Sequence, residues 1–119
     1  MITDGDRQTA LGTIVDANGL ILTKASELRG SVTCEIDDGR KLSAKIVGVD
    51  PKTDLALLEI NASDLVAAKI DPNAKPKVGA WVATVGTGDA PLTVGVVGCA
   101  NRQIKGSRAM MGVFLADLE

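Results

Sequence analysis

Histidine is absent from all 119 residues. That omission removes the side chain that titrates nearest neutrality, the usual general base and the commonest metal ligand. Tyrosine is also absent, and Trp81 and Phe114 are the only aromatic residues. The core must therefore be aliphatic, and a surface that stacks nucleic-acid bases on aromatic rings is excluded. A formal charge of −2 offers no basic patch for a phosphate backbone, so nucleic acid is not expected as a partner. No apolar run approaches the ~18 residues of a membrane-spanning helix. The start of the chain has no basic segment followed by an apolar one, so it carries no signal peptide pattern. Cysteine is scarce: Cys34 and Cys99 permit one disulfide and require none. With no Cys-x-x-Cys and no histidine, neither a metal site nor a cofactor is expected.

What is present is a succession of short strands and turn signals, in a chain long enough to bury one real core. Asp4-Gly5 reads as a hairpin turn and residues 8–15 as the strand leaving it. Asp16-Ala17-Asn18-Gly19 is a second turn, with Gly19 free to take positive φ. Residues 20–25 form a third strand candidate. Val32, Cys34 and Ile36 alternate as the apolar side of a strand over residues 31–37, and Asp38-Gly39 turns it into residues 41–49. There Leu42, Ala44 and Ile46 face one way, and Lys41, Ser43 and Lys45 the other. Pro51 opens a turn ending at Asp54, before a buried strand over residues 55–60. Residues 63–78 hold Pro72 and Pro76 and read as a surface loop. Residues 81–85 and 92–100 are two further strands, and Trp81 is expected in the core. Several short strands at this spacing argue for an all-β barrel or sandwich. Both cysteines are expected as small buried thiols.

Six collinear segments resemble the trypsin-like domain of HtrA/Deg-type serine proteases. The most specific are residues 44–51 (Ala44-Lys45-Ile46-Val47-Gly48-Val49-Asp50-Pro51) and Thr53-Asp54-Leu55-Ala56-Leu57-Leu58. Supporting them are residues 10–23, Asp38-Gly39-Arg40, residues 78–86 and residues 92–98. The resemblance implies a trypsin-like first barrel plus a remnant hairpin of the second. It places Asp54 at the position of the catalytic aspartate and Ser26 at that of the catalytic histidine.

Several departures from the family pattern bear on function. Ser26 replaces the imidazole that takes the nucleophile's proton and returns it to the leaving amine. The nucleophile motif Gly-Asn-Ser-Gly-Gly is absent from the sequence, and Gly86-Thr87-Gly88-Asp89 replaces the usual approach to the cleft. Residues 107–117 resemble the start of the PDZ domain that follows the protease in this family. There Met110, Met111, Gly112 and Val113 match the loop whose N–H groups receive a peptide carboxylate. The expected organisation is a truncated protease domain over residues 1–102, a linker over 103–108 and the first strand of a truncated PDZ domain over 109–119.

These readings predict a non-catalytic member of the family, a scaffold or peptide-binding part of a PDZ-containing envelope protein in protein quality control. No residue is expected to act as a working catalytic group. Asp54 is expected to fix its own turn through local backbone N–H groups. A Lys24–Ser26 dyad is discounted because Glu27 lies beside the lysine and no oxyanion donor is evident. Residues 86–91 lack the Gly-Lys-Ser/Thr of a phosphate loop. The resemblance implies periplasmic or extracytoplasmic residence, peptides or unfolded proteins as partners, and self-association through unpaired strand edges. Two alternatives stay open: an active endopeptidase whose missing groups come from elsewhere, and an unrelated small β-barrel binding module.

Overall fold

Turn chemistry sets the strand boundaries in the computed structural model, which describes residues 1–4, 7–99 and 113–117. The strands are β1 (Ile2–Asp4), β2 (Arg7–Ala10), β3 (Thr13–Asp16), β4 (Leu20–Lys24), β5 (Val32–Glu35), β6 (Lys41–Asp50), β7 (Leu55–Ile60), β8 (Trp81–Val85), β9 (Pro91–Val97) and β10 (Val113–Asp117). A 3-10 turn, Ala25–Glu27, follows β4. Among the described residues no helix is long and apolar enough to cross a membrane. The chain divides into two compact units, Met1–Ile70 and the residues from Asp71 onward.

The first unit is one antiparallel seven-stranded sheet in the order β2-β1-β5-β6-β7-β4-β3. Its period-two patterning is clearest in β7, where Ala56, Leu58 and Ile60 are buried and Leu55 and Glu59 exposed. With Ile2, Ile21, Val32 and Cys34, Leu58 and Ile60 form the core cluster. Each fully buried aliphatic side chain there contributes about 2 kcal/mol relative to exposure. Gly19 takes φ +106, and a Cβ at that position would run into the Ile60 carbonyl. Its own carbonyl accepts the Ile60 N–H at 2.9 Å, clamping the turn onto the end of β7.

The expectation of one strand over residues 8–15 is corrected. β2 and β3 are separate and lie at opposite edges of the sheet, joined only by Leu11 and Gly12. The span from Ala10 to Thr13 reaches about 10 Å at most, so the two edges must curl toward each other. Gly12 is where they meet: a Cβ there would lie 2.5 Å from Ile21 Cγ2 and 2.9 Å from Ile2 Cδ1. The hydroxyl of buried Thr23 donates to the Leu11 carbonyl at 2.9 Å, satisfying the connection. This curled sheet is the trypsin-like barrel that the resemblance implied.

Residues 61–80 contain no strand or helix, as the prolines required. The second unit holds a three-stranded antiparallel sheet in the order β10-β9-β8. Here a second expectation fails. Trp81 is 79 % exposed: it lies on β8, an edge strand in which Val82 alone is half-buried and the other four residues are exposed. The segment that resembles a PDZ opening supplies β10, with Val113 opposite Val97. Met110, Met111, Gly112 and the expected linker over 103–108 lie outside the described residues.

Candidate functional site

The pairing of β4 with β7 builds the site. Lys24, the last residue of β4, stands opposite Leu55, the first of β7. The residues just past one strand end therefore meet the residue just before the other. The Ala25 N–H donates to the Asp54 carbonyl at 3.0 Å, and the Leu28 N–H closes the 3-10 turn on Ala25 at 3.1 Å. Ser26 is thereby held in front of Asp54.

Asp54 approaches from a hairpin loop that Asp50 organises. Asp50 Oδ1 accepts the Lys52 N–H at 3.0 Å, and Oδ2 accepts the Thr53 hydroxyl at 2.9 Å. These bonds, the Thr53 hydroxyl first, hold the Asp50 carboxyl below the usual aspartate range. Asp54 then takes φ +56, a left-handed conformation that aspartate tolerates better than most residues. This turns the chain into β7 and directs the carboxylate across to the 3-10 turn.

The carboxylate accepts two hydrogen bonds from one residue. Asp54 Oδ1 receives the Ser26 N–H at 2.8 Å, and Oδ2 receives the Ser26 hydroxyl at 2.7 Å. The expectation that Asp54 bonds local N–H groups is thus corrected: Asp50 fixes the loop, and Asp54 bonds a residue 28 positions away. Asp54 is half-buried and Ser26 exposed, so the pair opens to solvent on the serine side. The structure brings together the two positions that the resemblance pairs.

Chemically, Ser26 gives Asp54 the donor that an imidazole N–H would give. It adds no second nitrogen to accept a proton from a nucleophile. Lys24 Nζ lies 3.2 Å from Glu27 Oε1, both groups exposed, and the Ser26 hydroxyl is directed to Asp54. Lys24 is thus paired with Glu27, as the discounting of a Lys24–Ser26 dyad anticipated.

The remaining candidates fall elsewhere. Cys34 is buried in the first unit and Cys99 half-buried in the second, and both are free thiols. Burial pushes the Cys34 thiol up from its ordinary value. Of residues 86–91, Gly86 to Ala90 join β8 to β9 and Pro91 opens β9; all but half-buried Gly86 are exposed. Among the described residues no cluster of three or more His, Cys, Asp or Glu side chains is placed to hold a metal. Thr23 was not singled out from sequence. A polar residue in an apolar run signals a buried partner, but not which carbonyl it serves.

Comparison with known proteins adds an independent line. The family model of the trypsin-like peptidase domain matches residues 10–112. A probable periplasmic DegP-like serine endoprotease of Halomonas elongata is 34% identical over 103 residues, covering 82% of this chain and 22% of the relative. A protein of the same description from a Marinomonas species is 37% identical over 98 residues, covering 78% and 21%. One from Pseudomonas putida is 33% identical over 110 residues, covering 84% and 23%. The chain spans about a fifth of the length of these curated relatives.

Proposed function

Since the chain belongs to the trypsin-like peptidase family, a family of serine endopeptidases with DegP-like members, we propose that it is a catalytically inactive member retained for binding. One observation carries this reading: Ser26 occupies the donor place against Asp54 in a sequence with no histidine. A hydroxyl can orient a carboxylate, but near neutral pH it cannot take a proton from a nucleophile and return it to a leaving amine. Loss of the base alone removes the proton shuttle, wherever a nucleophile lies.

On this reading the barrel serves as a scaffold in a periplasmic or extracytoplasmic protein, as the relatives' names suggest. Peptides or unfolded proteins are the expected ligands. The carboxylate-binding loop of Met110, Met111, Gly112 and Val113 would receive a peptide end if residues 109–119 open a PDZ domain. The protease-derived part would then be residues 1–102, with 103–108 as the linker.

The test is fluorophosphonate labelling read by intact mass, alongside casein turnover, on the full-length protein and its S26H variant. No adduct and no turnover in the parent protein is the expected result. A single adduct with turnover in the parent would overturn the inactive reading and require a base other than histidine. Activity gained only by S26H would confirm that the missing base is what silences the site.

A further inference from the structure

β6 is ten residues long, but β5 pairs only with Lys41, Leu42, Ser43 and Ala44. Before β5 the chain turns away at Gly30, which takes φ +71. Residues 45–50 therefore run on beyond β5, hydrogen-bonded to β7 along one edge and with no strand neighbour on the other among the described residues. All six are exposed, and they include Ile46, Val47 and Val49 at 42%, 43% and 54%. A bare edge carrying aliphatic side chains is a template for another strand.

The bulge in this segment decides which strand fits. Ile46 stands opposite Leu58 and Gly48 opposite Leu57, so Val47 is an extra residue. In an unbulged strand, residues five apart point to opposite faces. Here the extra residue restores the match. Lys45, opposite Glu59, and Asp50, opposite Leu55, share one face; Ile46 and Val49, opposite Leu58 and Ala56, share the other.

We propose that residues 45–50 form a homotypic docking edge, along which a second copy of this chain pairs antiparallel. Two antiparallel strands related by a two-fold axis place directly facing residues on the same face, and the bulge makes this segment meet that condition. Lys45 then faces Asp50 of the second copy, and Asp50 faces its Lys45. Between them Ile46 faces Val49 twice over. The two charges are opposite in sign and symmetrically spaced about the centre of the segment, so the edge is complementary to itself. Six residues a side fall short of the about 20–30 of a standard interface, so the dimer is weak and concentration-dependent. The proposal names the edge for the self-association expected from sequence, and does not depend on whether the site at Ser26 is catalytic.

Sedimentation velocity over a concentration series tests it on the whole chain. The parent protein shows a monomer–dimer equilibrium, and K45D and D50K each weaken it about tenfold by setting like charges face to face. An equimolar mixture of K45D and D50K recovers the parent association, because every facing pair is again of opposite sign. Recovery on mixing distinguishes pairing from a fold weakened by either change. Thermal melts check folding, since D50K also removes the hydrogen bonds to Lys52 and Thr53. If D50K does not fold, K45D and I46D carry the test, and each must weaken association. A parent that stays monomeric, unaltered association in K45D, or no recovery with two folded variants would overturn the proposal. So would dimers abolished by V82K on the uncharged edge strand β8.

Discussion

At φ +56 the Asp54 backbone occupies a region that costs a residue with a Cβ about 1–2 kcal/mol, offset by the bonds its carboxylate makes to Ser26. The two contributions separate by substitution. S26A removes one hydrogen bond and is expected to destabilise the fold by about 1 kcal/mol in urea denaturation. D54A loses both bonds and keeps the backbone strain, for about 2–3 kcal/mol. D54G loses the bonds but relieves the strain, and should be about 1 kcal/mol more stable than D54A. Equal stability of the Gly and Ala variants would remove strain from the account. The pairing of Ser26 with Asp54 was legible only through the resemblance, because nothing in local sequence points across 28 residues. The function of Asp50 was legible as turn chemistry but was assigned to its neighbour, since either aspartate of a Pro-containing turn suits the role.

Glycines divide by what surrounds them, and substitution should rank them. G19A meets the Ile60 carbonyl, which cannot yield, and carries φ +106; it is expected to abolish folding or cost more than about 3 kcal/mol. G12A meets two core isoleucines and costs about 1–3 kcal/mol through overpacking. G48A enters open space at a permitted φ and is nearly neutral. Thermal melts of the three variants check the order, and a neutral G12A would contradict the curled-sheet contact. Gly19 was readable from its turn motif, whereas Gly12 was not. Alternation over residues 8–15 records which side of a strand is buried, not which neighbour it pairs with. The switch from one edge of the sheet to the other was therefore invisible. The same limit misled the reading of Trp81, because an aliphatic strand beside it gives no indication that β8 is an edge.

Across the whole molecule, burial is uneven. The first unit holds the core cluster of Ile2, Ile21, Val32, Cys34, Leu58 and Ile60, while Trp81 and Val85 of β8 are 79% and 75% exposed. Amide hydrogen exchange should accordingly be slowest in β7, which is flanked on both sides, and fastest among the strand amides of β8. Comparable protection in β7 and β8 would show stability spread evenly over both units. The all-β class and most strand positions were legible because turn residues punctuate the sequence at short intervals. The order of strands was not, since it depends on long-range pairing. One consequence lies in covalent connectivity. No ladder joins β2 to β3, so Leu11 and Gly12 alone tether the sheet's first strand to its last. A chain nicked between them would keep every strand pair, leaving the packing of Ile2 with Ile21 and the Thr23 bond to Leu11 to hold the two edges together.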